Sequence, residues 1–134
     1  MTRAFIPAIL FIILAALTPK AGAEEVSFKI GLSEAKPKLA EQFTLRVELT
    51  CPADYEVKPD TSSFQDEVFE VTRIKRLKPQ ASGAVKTEVF ELDAAAFDLG
   101  ISTFPETAWL LTKGADIKKA SSPAFPIEIL PQFD

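Results

Sequence analysis

The sequence predicts an all-β fold, an antiparallel β-sandwich of about seven strands. Three observations carry this expectation. Apolar and polar residues alternate with period two over residues 26–30, 43–51 and 125–129. Ten Pro and eleven Phe in 134 residues favour strands and turns over long helices. Residues 89–112 read as a strand, a tight corner closed by Gly100 and a second strand carrying the only Trp. Such a corner is how a sandwich passes its chain from one sheet to the other.

The amino terminus has the three parts of a secretory signal, here residues 1–23. Arg3 gives a positive start, residues 4–17 form an apolar run, and Ala21-Gly22-Ala23 precedes the charged pair Glu24-Glu25. The run is shorter than the roughly 18–20 residues that cross a bilayer. Cleavage is expected between Ala23 and Glu24. It leaves one domain over residues 24–131, exported to the periplasm or beyond, with no membrane span in the mature chain. That chain keeps 13 basic and 19 acidic side chains. An acidic surface argues against nucleic acid as a partner.

Residues 26–30 place Val26, Phe28 and Ile30 on one side of a first strand, and the polar residues 33–39 with Pro37 form a loop. Lys36 and Lys38 flank that Pro and suit a blunted sheet edge. Residues 43–51 alternate without a break: Phe43, Leu45, Val47, Leu49 and Cys51 against Thr44, Arg46, Glu48 and Thr50. This is a strand with one wet face. Tyr55, Val57 and Pro59 allow a short strand, after which Asp60 or Ser62 can cap a helical turn. Residues 68–77 form a strand whose phase slips between Val71 and Ile74, the mark of a bulge or a bend.

Residues 79–83 are a turn-rich connector between two strands. Residues 85–92 form the next strand, with Val85 and Val89 opposite in parity to Phe90 and Leu92, so either a bulge intervenes or both faces are covered. Asp93 is expected to cap a single helical turn through the three alanines that follow. Phe97 and Leu99 are expected to plug the end of the core, and Gly100 supplies a positive φ. Pro105 interrupts the next strand. In residues 107–112, Trp109 and Leu111 oppose Ala108 and Leu110, and parity alone leaves the core side open. Residues 113–122 read as a polar loop. The last strand, residues 125–129, is confined to an edge by Pro123, Pro126 and Pro131.

The residues that carry chemistry are few. With no His there is no Ser-His-Asp or Cys-His arrangement. The single Cys51 lies on an apolar face and reads as a core thiol. Asp66 and Glu67, and likewise Asp93 and Asp98, lack the spacing of a calcium loop and read as solvated acids. No catalytic, cofactor-binding or metal-binding residue is assigned. Arg73, Lys75, Arg76 and Lys78 form a basic stripe, either a partner-binding site or the solvated face of an edge strand.

The runs Phe43-Thr-Leu-Arg-Val-Glu-Leu, Phe90-Glu-Leu, Phe97-Asp-Leu-Gly-Ile-Ser-Thr-Phe-Pro105 and Phe125-Pro-Ile-Glu-Ile resemble immunoglobulin-like domains of bacterial envelope proteins. More narrowly they resemble the ectodomains of BatD-type, aerotolerance-associated membrane proteins. The resemblance covers most of residues 25–130 and implies an immunoglobulin-like sandwich with no established catalytic residues. The function expected is non-enzymatic binding or scaffolding of another envelope protein. The alternative is a sandwich that binds carbohydrate or a small ligand, which needs exposed aromatics and has Trp109, Tyr55 and Phe104 to offer.

Overall fold

The cleanest alternation in the sequence becomes an interior strand. The computed structural model describes residues 12–17 and 26–133, and the expected cleavage site lies outside them. Strand β3 (Phe43–Pro52) alternates buried and half-buried residues along its whole length. It pairs antiparallel with β2 (Ser27–Leu32) on one side and with β7 (Val85–Ala96) on the other. The far side of β7 carries β5 (Phe69–Arg76) and, further along, the short β6 (Gln80–Ser82). Strand β1 (Ile12–Leu17), inside the expected leader, lies along the outer edge of β2.

The second layer contains β4 (Glu56–Asp60), β9 (Thr107–Lys113) and β10 (Asp116–Ser122), with β9 in the middle. Strand β8 (Gly100–Phe104) precedes β9 and pairs with β11 (Phe125–Ile129), which follows β10. Pro105 and Pro123 fall at the matching gaps of this hairpin and divide each arm in two, because Pro has no N–H to give a ladder. With the interrupted strands joined, β5 with β6, β8 with β9 and β10 with β11, seven strands follow residue 26. Their order is β2-β3-β7-β5 in one sheet and β10-β9-β4 in the other, the arrangement of a constant-type immunoglobulin sandwich.

The inner faces meet in one core. Phe90 of the first sheet packs on Trp109 of the second at 4.8 Å between centroids, and Phe69 packs edge-on against Phe104 at 5.2 Å. These offsets are the arrangements aromatic pairs prefer. Trp109 and Leu111 are fully buried, so theirs is the core side of β9. The loop after β2 crosses to the second layer, where the Leu39 N–H donates to the Leu130 carbonyl and the Leu130 N–H to the Pro37 carbonyl. This short parallel bridge at Lys38, with a Lys36–Glu128 ion pair at 3.6 Å, closes one side of the sandwich.

Several local expectations hold. Asp60 caps a 3-10 turn at Thr61–Phe64. The register of β5 shifts between Val71 and Arg73. Gly100 opens β8 with a φ of 90°. Three others need correction. Residues 93–96 form no helical turn: they continue β7, with Ala94 and Ala96 fully buried between the sheets. The helix preference of Ala is a few tenths of a kcal/mol per residue, less than ladder pairing and burial supply. Phe97 and Leu99 do not plug the core but stand 54% and 52% exposed at the corner. Residues 113–122 are not a loop, since Lys113 pairs with Asp116 across a two-residue turn and β10 follows. Gly114, with a φ of 59°, takes the first position of that turn, where hairpins favour Gly.

Candidate docking groove beside a free strand edge

Asp60 starts the construction of the groove. Its carboxylate accepts from the Ser62 N–H and hydroxyl, and its carbonyl accepts from the Ser63 hydroxyl at 2.7 Å. The turn so formed drives Phe64 into the core beside Trp109, at 5.7 Å between centroids. Asp66 then accepts from the Val68 and Phe69 N–H groups at 3.0 and 3.1 Å and turns the chain into β5. Asp66 is thus a turn-forming acid, while Glu67 is exposed. Among the described residues β5 has one ladder partner, β7, so its other edge is free. A groove of about 740 Å³ runs along that edge. Phe64 and Phe97 contribute apolar wall, Glu67 and Glu70 are acidic, and Arg73 is basic.

The register divides the basic stripe. Arg73 lies opposite Asp93 and Lys75 opposite Glu91, so both share the outer face of the first sheet. Lys78 is exposed beyond the strand. Arg76 lies opposite Phe90 and shares the core side. Its Nε and Nη2 both donate to Glu88 Oε1 at 3.2 Å, and Nη2 also donates to the Val57 carbonyl at 3.0 Å. The guanidinium carbon stands 5.4 Å from the Phe90 ring centroid. Arg73 therefore lines the groove and Lys75 stands beyond it on the same outer face, while Arg76 joins the two sheets by bonding from β5 to β4.

Glu88 is the buried charge that sequence reasoning missed. Its side chain is 2% exposed, and Lys86 Nζ lies 2.8 Å from its second oxygen. Two cations, with two hydrogen bonds donated by Arg76, compensate a carboxylate that would otherwise be costly to bury. The signal was present: Lys86 and Glu88 share the parity of Phe90 and Leu92, so the charged pair lies on the apolar face. Cys51 pairs in register with Lys86 and is fully buried. Burial pushes its thiol above the ordinary range, and the nearby Lys86 only partly offsets this.

The other singled-out residues fall into structural places. Trp109, Tyr55 and Phe104, the aromatics a sugar-binding face would use, are all buried. Trp109 Nε1 donates to Thr107 Oγ1 at 3.0 Å, and Thr107 shares a hydrogen bond with the Ser122 hydroxyl. Tyr55 donates to Asp116 at 3.0 Å. Asp93 accepts from the Thr44 hydroxyl at 3.2 Å, and Asp98 is exposed. Among the described residues, no group of three or more His, Cys, Asp or Glu side chains is arranged to hold a metal, and no helix is long and apolar enough to cross a membrane.

No protein-family model, curated protein or solved structure matches this chain.

Proposed function

We propose that this chain is an exported, non-enzymatic binding module of the bacterial cell envelope. It holds an extended segment of another envelope protein in the groove beside β5. The observation that carries this reading is the coincidence at one place of a free strand edge, an exposed Phe97 and the cation Arg73. Main-chain groups on an open edge supply affinity to an added strand, and flanking side chains supply selectivity. Arg73 and Lys75 favour a partner with acidic residues at that end, and Glu67 and Glu70 favour a basic residue at the other. The leader-like residues 1–23 support export, and the resemblance to BatD-type ectodomains supports the envelope as the place of work.

The test uses a photo-crosslinking amino acid in place of Phe97 in cells that express the full chain. The expected result is one crosslinked envelope protein, lost when Arg73 and Lys75 are both changed to Glu. Arg76 is left intact because of its bond to Glu88. A crosslinked product unaffected by charge reversal, or none at all, overturns the groove as the docking site. Recovery of the full chain from the cytoplasm, with residues 1–23 retained, overturns export.

A further inference from the structure

The first sheet has a second outer edge, and the chain itself shows what fits there. Strand β1 lies antiparallel along β2, with Ile12 opposite Leu32 and Leu17 opposite Phe28. Its sequence, Ile-Ile-Leu-Ala-Ala-Leu, carries no charge and no Pro. Cleavage between Ala23 and Glu24 removes it. Glu24, Glu25 and Val26 then precede Ser27, too few residues to turn and lay a replacement strand.

The β2 edge carries little of what blunts other edges. It has no Pro, and Phe28, Ile30 and Leu32 are buried. Its charged residue, Lys29, lies opposite Glu48 of β3. By contrast β4 contains Pro59 and gives its Val57 carbonyl to Arg76. Strand β11 contains Pro126, and the Leu130 backbone just beyond it is bonded to Pro37 and Leu39.

We infer that in the exported domain β2 is an acceptor edge for an uncharged, Pro-free extended segment of another polypeptide, added antiparallel where β1 lies in the full chain. This rests on the export reading above and adds a second partner surface, on the side of the first sheet away from the β5 groove. An edge of this kind is satisfied by backbone pairing, so the occupant is selected by lack of charge and by apolar residues opposite Phe28, Ile30 and Leu32, as Leu17, Ala15 and Ile12 stand in β1, whose register shifts once between Ile13 and Ala15.

The probe is a synthetic peptide of residues 11–18 with terminal lysines for solubility, added to the domain that begins at Glu24. Amide hydrogen exchange followed by NMR reads the outcome. Exchange at alternate amides within residues 27–32 is expected to slow by about tenfold or more, with β5 unchanged. A peptide with Ala15→Pro is expected to give no protection. Absence of protection with the parent peptide, or equal protection by both peptides, overturns the inference. So does a domain that is already dimeric by light scattering, with the same amides protected before peptide is added. Amino-terminal sequencing of the exported chain separates the two readings: a start before Ile12 overturns processing whatever the peptide does, and a start at Glu24 leaves the peptide result to decide.

Discussion

Arg76 stands 3.2 Å from Glu88 and, through the same guanidinium, holds the Val57 carbonyl of the opposite sheet. A carboxylate that is 2% exposed meets a cation whose side chain is 44% exposed. The contact therefore sits at the rim of the sandwich, where one guanidinium bridges β5 and β4, strands of different sheets with no ladder between them. A planar fork suits this place because it satisfies two acceptors on two sheets at once.

Changing Arg76 to Ala is expected to destabilise the domain by about 1–2 kcal/mol, below the range for fully buried pairs because water screens the exposed guanidinium. Arg76→Lys should recover little, since a single ammonium cannot reach both acceptors in the same geometry. Glu88→Ala should cost more than Arg76→Ala, because it strands Lys86 as well as Arg76. Urea denaturation midpoints with unchanged slopes would measure this. Equal stability of Arg76→Lys and the parent would show that charge alone matters here.

Cys51 should resist a polar thiol reagent in the native domain and react rapidly after denaturation. Its folded-state thiol titrates above the ordinary range because it is buried. The unfolded chain therefore loses this proton first. The stabilising contribution is complete below about pH 8.5, the ordinary thiol value, and is lost as pH rises toward the folded value. A Cys51→Ala variant should lack that component of the alkaline decline, at a cost of about 1 kcal/mol at neutral pH. Rapid labelling of native protein would contradict the burial of this face.

Trp109 emission should be blue-shifted and little quenched by iodide until the domain unfolds, since the ring is fully buried. Thr107→Val should cost about 1–3 kcal/mol, as it removes the acceptor of the indole N–H and the partner of Ser122. Trp109→Ala should cost about 3–5 kcal/mol. Ready quenching in the native state would return Trp109 to the pool of ligand-binding aromatics.

Two backbone positions should respond in opposite directions. Gly100 has a φ of 90° and open space where a Cβ would stand, so Gly100→Ala meets no clash, only the backbone penalty. About 1–2 kcal/mol of destabilisation is expected. Ala40 has a φ of 63° and is exposed. Ala40→Gly should raise stability by up to about 1 kcal/mol, with the N–H bond to Ala96 kept. Thermal melts of the two variants suffice, and a loss of stability in Ala40→Gly would refute this account of the turn.

The sequence by itself determined the sandwich class and the strands that have one wet face. Strands β2, β3 and β11 were legible because one dry side and one wet side write period two directly into the residues. The turn at Asp60, the bulge in β5 and the corner at Gly100 were legible because each depends on a local backbone need. Only the tertiary structure decided what depends on a neighbour. Strand β10 was hidden because it is an edge: only Ala120 and Ser122 are buried along it, too few to mark a period. The alanines of β7 are held extended by β5, which pairs with all three, and by β3, which pairs with Ala94, against a weak helical preference. The bulge between Val71 and Arg73 shifts the phase of β5, and so Arg76 faces Phe90 while Arg73 and Lys75 face outward. The groove exists because β5 comes last in its sheet, and strand order is set by long-range pairing that no local run of residues encodes.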